Sequence, residues 1–566
     1  MTNDMPLASP IAALTWLRAL EPSFAGATRQ CLGRIYGDNE EELRRRATLL
    51  RNALTRFVER FGDAPVRIFR APGRINLRGM HVDTHGGYLN LMTHQREVVA
   101  VMAQADVGRC VFVNTDPAFG EVSFAVEETR PPVSGAWLDF IYAPETVRRV
   151  ASRKGDWSNY LRGAVIRARC ALGHRPFTGF HCVIGSDLPR GAALSSSHAL
   201  CLAVLLGVLH THGGDMDETQ RILAVRDAEW YTGARTGVSD QGAMVLGRRG
   251  MLVNAALFAE DLDLSGVRRI LFPDTLRVLV INSHTSRNLS GAQLSAYTGN
   301  RFAYSMALAI LRRELLAMGV APDRVAAMDR LARIDADALG GPRVVVELLR
   351  RIPVSLSPEE LQDRYQIADF EVIYARYLGG VSQMHRPRWI NLRGPLLFGL
   401  AESERARRFT QALESGDYAL AGRLMNVGHD GDRVVDAAGN PFRRDVDDAA
   451  LDAMEQDSLP LALWPGDYGA SSPVLDALVD AAISAGALGA SLTGAGIAGA
   501  VLALCRAENA DSIAEKVRGT MATERYAALA GRDVPLDAGE LAEAVVVNTA
   551  PEGAGELRIN DAPGAP

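Results

Sequence analysis

A run of small and hydroxylated residues between two apolar patterns is the most chemically suggestive part of this chain. Residues 180–184 alternate as a strand does, and the apolar positions from Ala199 to Val208 predict a helix. The linking residues, 188–198, read Leu-Pro-Arg-Gly-Ala-Ala-Leu-Ser-Ser-Ser-His. Backbone N–H groups at a helix start, reached past glycine and alanine, suit a phosphate group. A tight turn capped by Ser195 or Ser196 explains the same residues, so both interpretations stay open on this stretch alone.

Three further stretches combine glycine with residues that can hold charge or protons. They are residues 70–87 (Arg-Ala-Pro-Gly-Arg-Ile-Asn-Leu-Arg-Gly-Met-His-Val-Asp-Thr-His-Gly-Gly), residues 236–242 (Thr-Gly-Val-Ser-Asp-Gln-Gly) and residues 489–499 (Gly-Ala-Ser-Leu-Thr-Gly-Ala-Gly-Ile-Ala-Gly). Beside a phosphate loop, arginine neutralises charge and aspartate holds a hydroxyl. Each stretch by itself is weak evidence for a functional site, whereas four such stretches in a fixed order form a specific pattern.

The scarcity of lysine restricts how a phosphate could be held. Lys154 and Lys516 are the two lysines among 566 residues, so the lysine motifs of P-loop proteins and of protein kinases are missing. A phosphate site must therefore use backbone, serine and arginine. The net charge of −6 argues against a nucleic-acid partner.

Cysteine usage and hydropathy indicate a reduced, water-soluble protein. The six cysteines are scattered without a Cys-x-x-Cys pair, which predicts free thiols, and no basic-then-apolar leader is evident, so we expect a cytoplasmic location. Residues 481–505 carry no charge, but their glycine content favours a helix end, a loop and a buried strand (500–504) over a membrane span. We expect no membrane partner.

Taken together and in this order, the four stretches resemble the GHMP family of small-molecule kinases, which joins galactokinase, homoserine kinase, mevalonate kinase and phosphomevalonate kinase. The stretch 70–87 is most similar to the galactokinase signature, and the resemblance as a whole covers residues 65–550. It implies an α+β fold of two domains with ATP and the acceptor in the cleft between them. It also implies transfer of a phosphoryl group to a hydroxyl of a sugar or sugar derivative, with the anomeric hydroxyl as the first candidate.

The same resemblance implies a nucleotide site and a magnesium site. The nucleotide-binding residues it implies are Trp157, Gly191, Ala192, Ala193, Ser195, Ser196, Ser197, Gly494, Ala495 and Gly496. Magnesium, which takes hard oxygen ligands and keeps several waters, falls to Ser197 (or Ser196) and Glu229. Ala193 stands where the family carries glycine, which matters only if the backbone there has a positive φ.

For the acceptor, the resemblance implies Asp240 and Arg74 as catalytic residues. It implies sugar contacts from Arg74, Met80, His81, Asp83, Gly237, Asp240 and, less closely, Tyr297. Met80 departs from the family, since galactokinases carry a glutamate that contacts the C6 hydroxyl, and a thioether is a poor substitute. Thr84 and His85 depart as well. We therefore predict an acceptor other than galactose, with a uronic acid, a 6-deoxy sugar, a pentose and a cyclitol left open.

The elements that must position these residues fall into four segments. We expect an N-terminal helical extension over 1–64, an N-terminal kinase domain over 65–270 and a C-terminal domain over 271–548. A helical insertion is predicted over 321–392 and a disordered tail over 549–566. The oligomeric state, monomer or homo-oligomer, is left open.

Two other functions remain as alternatives. One is a catalytically silent relative that binds sugar and nucleotide as a sensor, and the other is a GHMP kinase for a non-sugar alcohol. The presence of Asp240, Arg74 and Glu229 together favours an enzyme over the sensor. The sugar form of the first stretch, with His81 and Asp83, disfavours the non-sugar kinase.

Overall fold

The computed structural model describes residues 9–21, 23–132, 136–189, 191, 194–285, 291–436 and 438–558, and at 291–294 the backbone alone. Helices and strands are mixed along the chain, and the strands gather into one large and one smaller sheet, apart from a short pair. This arrangement agrees with the predicted α+β class. Ala192 and Ala193 lie outside the described residues, as do the loop positions Arg190 and 286–290.

The strands within the described ranges are, in chain order, β1 (Ile11–Ala12), β2 (Pro65–Arg78), β3 (Tyr88–Gln104), β4 (Arg109–Asn114), β5 (Val122–Ala125), β6 (Phe180–Ser186), β7 (Met251–Ala256), β8 (Arg268–Leu271), β9 (Leu276–Asn282), β10 (Ser355–Leu356), β11 (Ile390–Asn391), β12 (Gly489–Thr493), β13 (Ala500–Arg506), β14 (Val545–Val547) and β15 (Gly555–Glu556).

The α-helices of the same ranges are α1 (Ala13–Ala19), α2 (Gly26–Tyr36), α3 (Glu40–Phe61), α4 (Trp137–Tyr142), α5 (Pro144–Ala151), α6 (Ser158–Leu172), α7 (Ser196–Thr211), α8 (Glu218–Tyr231), α9 (Ser239–Leu246), α10 (Gly291–Ala317), α11 (Pro322–Ala327), α12 (Ala336–Leu339), α13 (Pro342–Arg351), α14 (Pro358–Tyr365), α15 (Phe370–Leu378), α16 (Arg393–Ser415), α17 (Tyr418–Asp432), α18 (Asp448–Gln456), α19 (Pro473–Ser484), α20 (Ala510–Met521), α21 (Glu524–Leu529) and α22 (Ala538–Ala544).

The larger sheet follows the order β1-β2-β3-β6-β4-β5, with β15 beside β2, β7 beside β3 and β8 beside β7. Its strands pair antiparallel except β4 with β6. The smaller sheet has the order β12-β13-β9-β14 and is antiparallel throughout. A separate pair, β10 and β11, completes the sheets.

Strand β2 contains residues 70–78 of the chemical stretch 70–87. Its pairing with β3 shifts register between Pro72 and Gly73 and again between Asn76 and Arg78. A bulge accommodates proline, which cannot donate to the ladder, and turns later side chains in new directions. At Gly73 a Cβ would lie 2.5 Å from a methyl group of Leu188, so glycine lets the serine-rich loop close against the strand.

The N-terminal segment is helical, as predicted, and packs on the larger sheet. Helix α3 lies within the predicted extension, and Asn39 caps it by accepting a hydrogen bond from the Glu42 amide. Its buried residues include Leu43, Leu50 and Phe57, which join an apolar cluster with strand residues such as Val99 and Val183. Burial of this stripe is what holds the extension on the sheet.

The segment 321–392 is largely helical, as predicted, and carries α11 to α15 together with β10 and β11. Helix α15 packs on α10, where Phe370 and Tyr374 both meet Phe302 edge to face. Aromatic contacts of this kind fix the angle between the two helices. The segment therefore forms a wall beside α10 and does not extend away from the body of the protein.

The uncharged run 481–505 contains the predicted helix end (α19), glycine loop and strand (β13), and in addition strand β12, which was not predicted. In the part of the chain that the structure describes, no helix combines the length and the hydropathy needed to cross a bilayer. The six cysteines are all free thiols.

The prediction of a disordered tail from 549 onward is wrong for residues 549–558. Strand β15 pairs with β2 through Gly555 and Glu556, and the Glu556 carboxylate lies 2.7 Å from Nη1 of Arg67 and 3.2 Å from Nδ1 of His210. The composition that indicated disorder is offset by these tertiary contacts, which no local pattern reveals. Residues 559–566 lie outside the described residues.

Candidate active site

A cavity of about 450 Å³ brings most of the predicted site residues together. We call it the central cavity. It lies where β2, the start of α7, the start of α9 and the loop after β12 meet. The predicted residues that line it are Arg74, His81, Asp83, Gly191, Ser195, Ser197, Glu229, Gly237, Asp240, Tyr297, Gly494 and Ala495.

An arginine–aspartate pair forms the centre of this cavity. Nε of Arg74 donates to Oδ1 of Asp240 at 2.6 Å, and the Ser195 hydroxyl donates to Oδ2 at the same distance. Burial would raise the pKa of Asp240, but the Arg74 charge and these hydrogen bonds outweigh it and hold the pKa well below its ordinary value. The N-cap of α9 is Val238, so Asp240 is a helical residue and does not cap. Its carboxylate is thus ionised and directed into the cavity.

The serine-rich loop approaches the pair from the start of α7. Ser195 precedes the helix in a left-handed conformation (φ 62°), and Gly191 also has a positive φ (74°). No side-chain hydrogen bond caps the helix at Ser195, because its hydroxyl is turned to Asp240. The first N–H groups of α7 and its positive dipole end therefore remain available to an anion, as the phosphate interpretation required.

A neighbouring cavity of about 600 Å³, the nucleotide-side cavity, shares Gly191, Ser195 and Ser197 with the central one. Ser196 and the predicted Trp157 line it as well. Trp157 is held in place by a hydrogen bond from its indole N–H to the carbonyl oxygen of Gly120 at 3.3 Å. The two cavities thus adjoin at the serine-rich loop.

The glycine loop after β12 covers the central cavity with two of its three predicted residues. Gly494 and Ala495 line it, whereas Gly496 does not. Gly496 has a positive φ (77°), and a Cβ there would lie 2.0 Å from the carbonyl oxygen of Ala470. This glycine allows close packing behind the loop and does not face the cavity.

Glu229 and Ser197 face one another in the same cavity. Glu229 is 2% exposed, and its Oε1 accepts no hydrogen bond from the described residues. Burial raises the pKa of this carboxyl above its ordinary value, since an unneutralised charge is costly there. A cation at Oε1 would remove that cost. The described residues contain no group of three or more His, Cys, Asp or Glu side chains that could hold a metal by themselves.

The predicted acceptor contacts line the opposite part of the cavity. Asp83 accepts a hydrogen bond from the Ser239 hydroxyl at 2.8 Å and lies against Gly237, where a Cβ would be 2.0 Å from Oδ2. His81 has a positive φ (64°), stacks on Tyr468 at 4.4 Å and lies 3.3 Å from Oδ1 of Asp432. Its ring is therefore fixed in one orientation.

Met80 does not lie with these residues. Its side chain is 1% exposed and packs in an apolar cluster with Tyr304, Phe398 and Tyr468, and it is not part of the cavity lining. Only its backbone contacts a polar group, since the amides of Gly79 and Met80 both donate to Oε1 of Glu402. The Met80 side chain, predicted to contact the acceptor, therefore does not line the central cavity.

Sequence reasoning left several lining residues unassigned, among them His198 and Arg301. Nδ1 of His198 lies 3.3 Å from Oδ2 of Asp240 and 3.5 Å from Oε1 of Glu229, so the imidazole ring lies between the two carboxylates. Its position inside the small-residue stretch was a signal that could have identified it. Arg301 of α10 also lines the cavity, and no local pattern distinguishes it from other helix arginines.

Comparison with known proteins gives three matching family models. They are the galactokinase galactose-binding signature over residues 55–104, the N-terminal domain of GHMP kinases over 159–248 and the C-terminal region of GHMP kinases over 442–523. A galactokinase of Roseiflexus sp. (strain RS-1) is 28% identical over 455 residues, which is 79% of this chain and 86% of that protein. A galactokinase of Streptomyces coelicolor is 26% identical over 472 residues, or 82% and 92%.

Among solved structures, Lactococcus lactis galactokinase complexed with galactose matches with a TM-score of 0.56 at 20% identity, covering 88% of this chain and 98% of that one. At this identity the match speaks to the fold. It confirms the predicted α+β class.

Proposed function

We propose a specific reaction for this chain, which belongs to the GHMP kinase family and is a phosphotransferase acting on a sugar hydroxyl. The reaction is transfer of the γ-phosphoryl group of ATP to the anomeric hydroxyl of a sugar or sugar derivative other than galactose itself. The observation that carries the proposal is the Arg74–Asp240 pair, which lies in one cavity with the serine-rich helix start on one side and Asp83 on the other.

Asp240 is assigned to the acceptor hydroxyl. A phosphoryl group passes through a loose transition state, so the attacking oxygen needs orientation more than early deprotonation. A carboxylate with a strongly lowered pKa is a weak base, which suits it to accept the hydroxyl's hydrogen bond first and its proton late. Arg74 keeps that carboxylate ionised and offers positive charge to the group in transfer.

The nucleotide is assigned to the nucleotide-side cavity. Its phosphates would meet the start of α7, with Ser195 to Ser197 on one side and Gly494 and Ala495 on the other. Both lysines of the chain are exposed, so the helix start and Arg74 carry the charge that lysine supplies in other kinases.

Magnesium fits the residues present. Ser197 and Glu229 offer hard oxygen atoms, and the unsatisfied, buried Oε1 of Glu229 is an atom that a cation would stabilise. Two protein ligands are sufficient, because Mg²⁺ takes its remaining ligands from phosphate and water. When bound, it would neutralise charge on the phosphates.

The exclusion of galactose rests on the departures at Met80, Thr84 and His85. The methionine offers no acceptor for a C6 hydroxyl, and its side chain is packed away from the cavity. His85 is likewise buried and lies 3.0 Å from the Ser305 hydroxyl. The chain thus lacks, at these positions, the residues of the galactokinase pattern, which supports an acceptor other than galactose.

The test is ADP release by the purified chain with ATP, Mg²⁺ and a panel of sugars that includes galactose, fucose, arabinose, glucuronate and galacturonate. We expect turnover with at least one of them and a lower kcat/KM for galactose than for the best. Absence of ADP release with every sugar, while a nonhydrolysable ATP analogue still raises Tm, would overturn the reaction.

The metal assignment is tested with Glu229→Gln. The variant keeps the size of the side chain and loses its charge, so we expect a higher Mg²⁺ concentration at half-maximal activity, by about tenfold. Glu515→Gln, at an exposed position on α20 away from the three cavities, is the control and should titrate as wild type. An unchanged Mg²⁺ titration in Glu229→Gln would remove this residue from the metal site.

A further inference from the structure

The central cavity continues past the acceptor residues. A third cavity, of about 810 Å³, shares Asp83, Thr236, Gly237 and Arg301 with it, and we call this the distal cavity. The distal and nucleotide-side cavities have no lining residue in common, so they adjoin the central cavity at different places. A ligand that receives a phosphoryl group at Asp240 can therefore extend away from the nucleotide.

Besides Asp83, Thr84, Thr236 and Gly237, the distal cavity has walls from elements outside the four chemical stretches. Trp137 and Tyr142 of α4, Trp230 of α8 and Tyr377 of α15 supply aromatic surface. Helix α15 belongs to the segment 321–392, which thereby gains a location beside the acceptor. A cavity of this size exceeds the need of one sugar ring already placed in the central cavity.

Two guanidinium groups at the junction have unused donors. Nη1 of Arg301 donates to the carbonyl oxygen of Arg235 at 2.8 Å, and the Arg301 guanidinium lies 4.3 Å from the Tyr297 ring centre. Nε of Arg235 donates to the Tyr142 hydroxyl, and its Nη1 donates to the carbonyl oxygens of Trp230 and Ala234. Within the described ranges, Nη2 of both residues and Nε of Arg301 meet no acceptor, and neither arginine pairs with a carboxylate.

Arg226, another arginine that lines the distal cavity, differs from these two because it has a carboxylate partner. Its guanidinium pairs with Asp227 at 2.7 Å and is thereby neutralised. Of the carboxylates that line the distal cavity, Glu260 and Glu371 are exposed, and Asp83 is bound to Ser239 at the junction. One carboxylate against two guanidinium groups leaves the junction positively charged.

We propose that the acceptor carries a carboxylate, which binds at this junction between Arg301 and Arg235, with the rest of any larger acceptor in the distal cavity. The inference rests on the proposed kinase function and narrows its substrate to acidic sugars. A guanidinium binds a carboxylate through paired, charge-assisted hydrogen bonds, and Arg301 and Arg235 have the donors to make them. The carboxylate could belong to the phosphorylated ring, as in a uronic acid, or to a second sugar joined to it.

The experiment compares four acceptors that separate charge from size: galactose, galacturonate, galactobiose and digalacturonate. For the wild type we expect kcat/KM to be at least about tenfold higher for each acid than for the neutral sugar of equal size, since hydrogen bonds to charged groups carry this much. A preference for galacturonate over digalacturonate places the carboxylate on the phosphorylated ring, and the reverse places it on a second sugar.

The variants test whether Arg301 is the cause. In Arg301→Gln the ratio of kcat/KM for acid to neutral sugar should fall by about tenfold, while Arg301→Lys should keep part of it because charge remains and the planar fork is lost. The ratio is taken within one variant, so a partial loss of folded protein cancels. Arg313→Gln, on the same helix with its Nη1 on the Tyr365 carbonyl, is the control and should match the wild type.

Three results decide the matter. Equal or better use of neutral sugars by the wild type overturns the inference and leaves the proposed kinase function standing. The same holds if Arg301→Gln lowers activity on acid and neutral sugars equally. Failure to phosphorylate any of the four sugars or of the wider panel would instead defeat the proposed function itself.

Discussion

Two of the arginine–carboxylate pairs on strand β2, those of Arg70 and Arg74, have different surroundings. In the closed pair, Nε of Arg70 lies 2.7 Å from Glu97, and Tyr36 hydrogen-bonds to both partners. The carbonyl oxygen of Gly553 accepts from the same arginine. In the open pair, Nε of Arg74 lies 2.6 Å from Asp240 beside the central cavity.

The chemistry of the two pairs is alike, and the difference lies in what covers them. Tyr36 of α2 and the segment before β15 shield the first pair from solvent, so the attraction between its two charges acts only to hold the fold together. The second pair faces a space that a ligand can enter, so the same attraction can act on a reacting group. The comparison predicts that substitutions at the open pair reduce turnover and that substitutions at the closed pair reduce stability.

The largest effect is expected for Asp240→Asn. Loss of the carboxylate removes the acceptor for the substrate hydroxyl, so kcat should fall by about 10²–10⁴-fold. Folding should be little changed, because asparagine keeps the size of the side chain and the pair borders an open cavity. ADP release measures the loss of turnover, and thermal unfolding measures any change in stability. Activity near the wild-type level with the best acceptor would show that Asp240 is not the catalytic group.

Glu97→Gln should have the opposite profile. It leaves the buried Arg70 without its charge partner, and breaking a buried pair in this way costs about 3–5 kcal/mol of unfolding free energy. Urea unfolding measures the loss, with kcat per folded molecule held near the wild-type value. Glu121→Gln breaks the exposed pair with Arg60 and is the matched control, with an expected cost of about 0–1 kcal/mol. Equal costs in the two variants would contradict the distinction between closed and open pairs.

Met80→Glu tests whether the side chain of residue 80 lies outside the central cavity. Since Met80 is buried among apolar side chains, a carboxyl there has no partner, and we expect a loss of about 1–3 kcal/mol. Met80→Leu keeps the volume and should cost less than about 1.5 kcal/mol. Unfolding free energies are measured beside kcat/KM on galactose and galacturonate. A stable Met80→Glu protein that favours galactose would show that residue 80 faces the acceptor after all.

The smallest effect is expected from the pH dependence of stability at His94, a buried residue of β3. Burial lowers the pKa of His94 to about 4, and its Nδ1 lies 2.8 Å from Oδ1 of Asn548. Between the ordinary pKa near 6.5 and pH 4 the unfolded chain binds a proton that the native chain does not. Stability is therefore retained above pH 6.5 and falls as the pH drops to 4, by on the order of 1 kcal/mol per pH unit.

The control for this pH effect uses two histidines. His94→Gln removes the buried imidazole, so the decline of the unfolding free energy between pH 6.5 and 4 should be shallower than in the wild type. The same substitution at His174, an exposed position, should leave the slope unchanged. A wild-type slope in His94→Gln would mean that other groups cause the decline.

Sequence reasoning was most successful where one local pattern decides the structure. The helical character of the N-terminal extension follows from the spacing of apolar residues such as Leu43, Leu50 and Phe57, and α3 agrees with it. The resemblance to GHMP kinases identified Arg74, Asp240, Ser197 and Glu229, and the structure places all four along one cavity. Whether they perform the roles assigned to them is for the variants above to test.

The errors have physical causes that a local pattern cannot contain. The two register shifts in β2 and the turn that follows decide which way residue 80 points, and Met80 was assigned to the acceptor on position alone. Arg301 gains its meaning from Arg235, a partner 66 residues away in the chain. The order of residues 549–558 comes from tertiary pairing, which a composition rich in glycine and proline conceals.

Strand β15 also has a consequence for biosynthesis. Its Glu556 meets Arg67 across 489 residues of chain, so this corner of the larger sheet stays incomplete until nearly everything that separates them has left the ribosome. Contacts of such long range are formed late and slow the overall folding rate. In the interval the β2 edge and the Arg70–Glu97 pair lack their cover, which makes this part of the nascent protein a place where chaperones would be expected to bind.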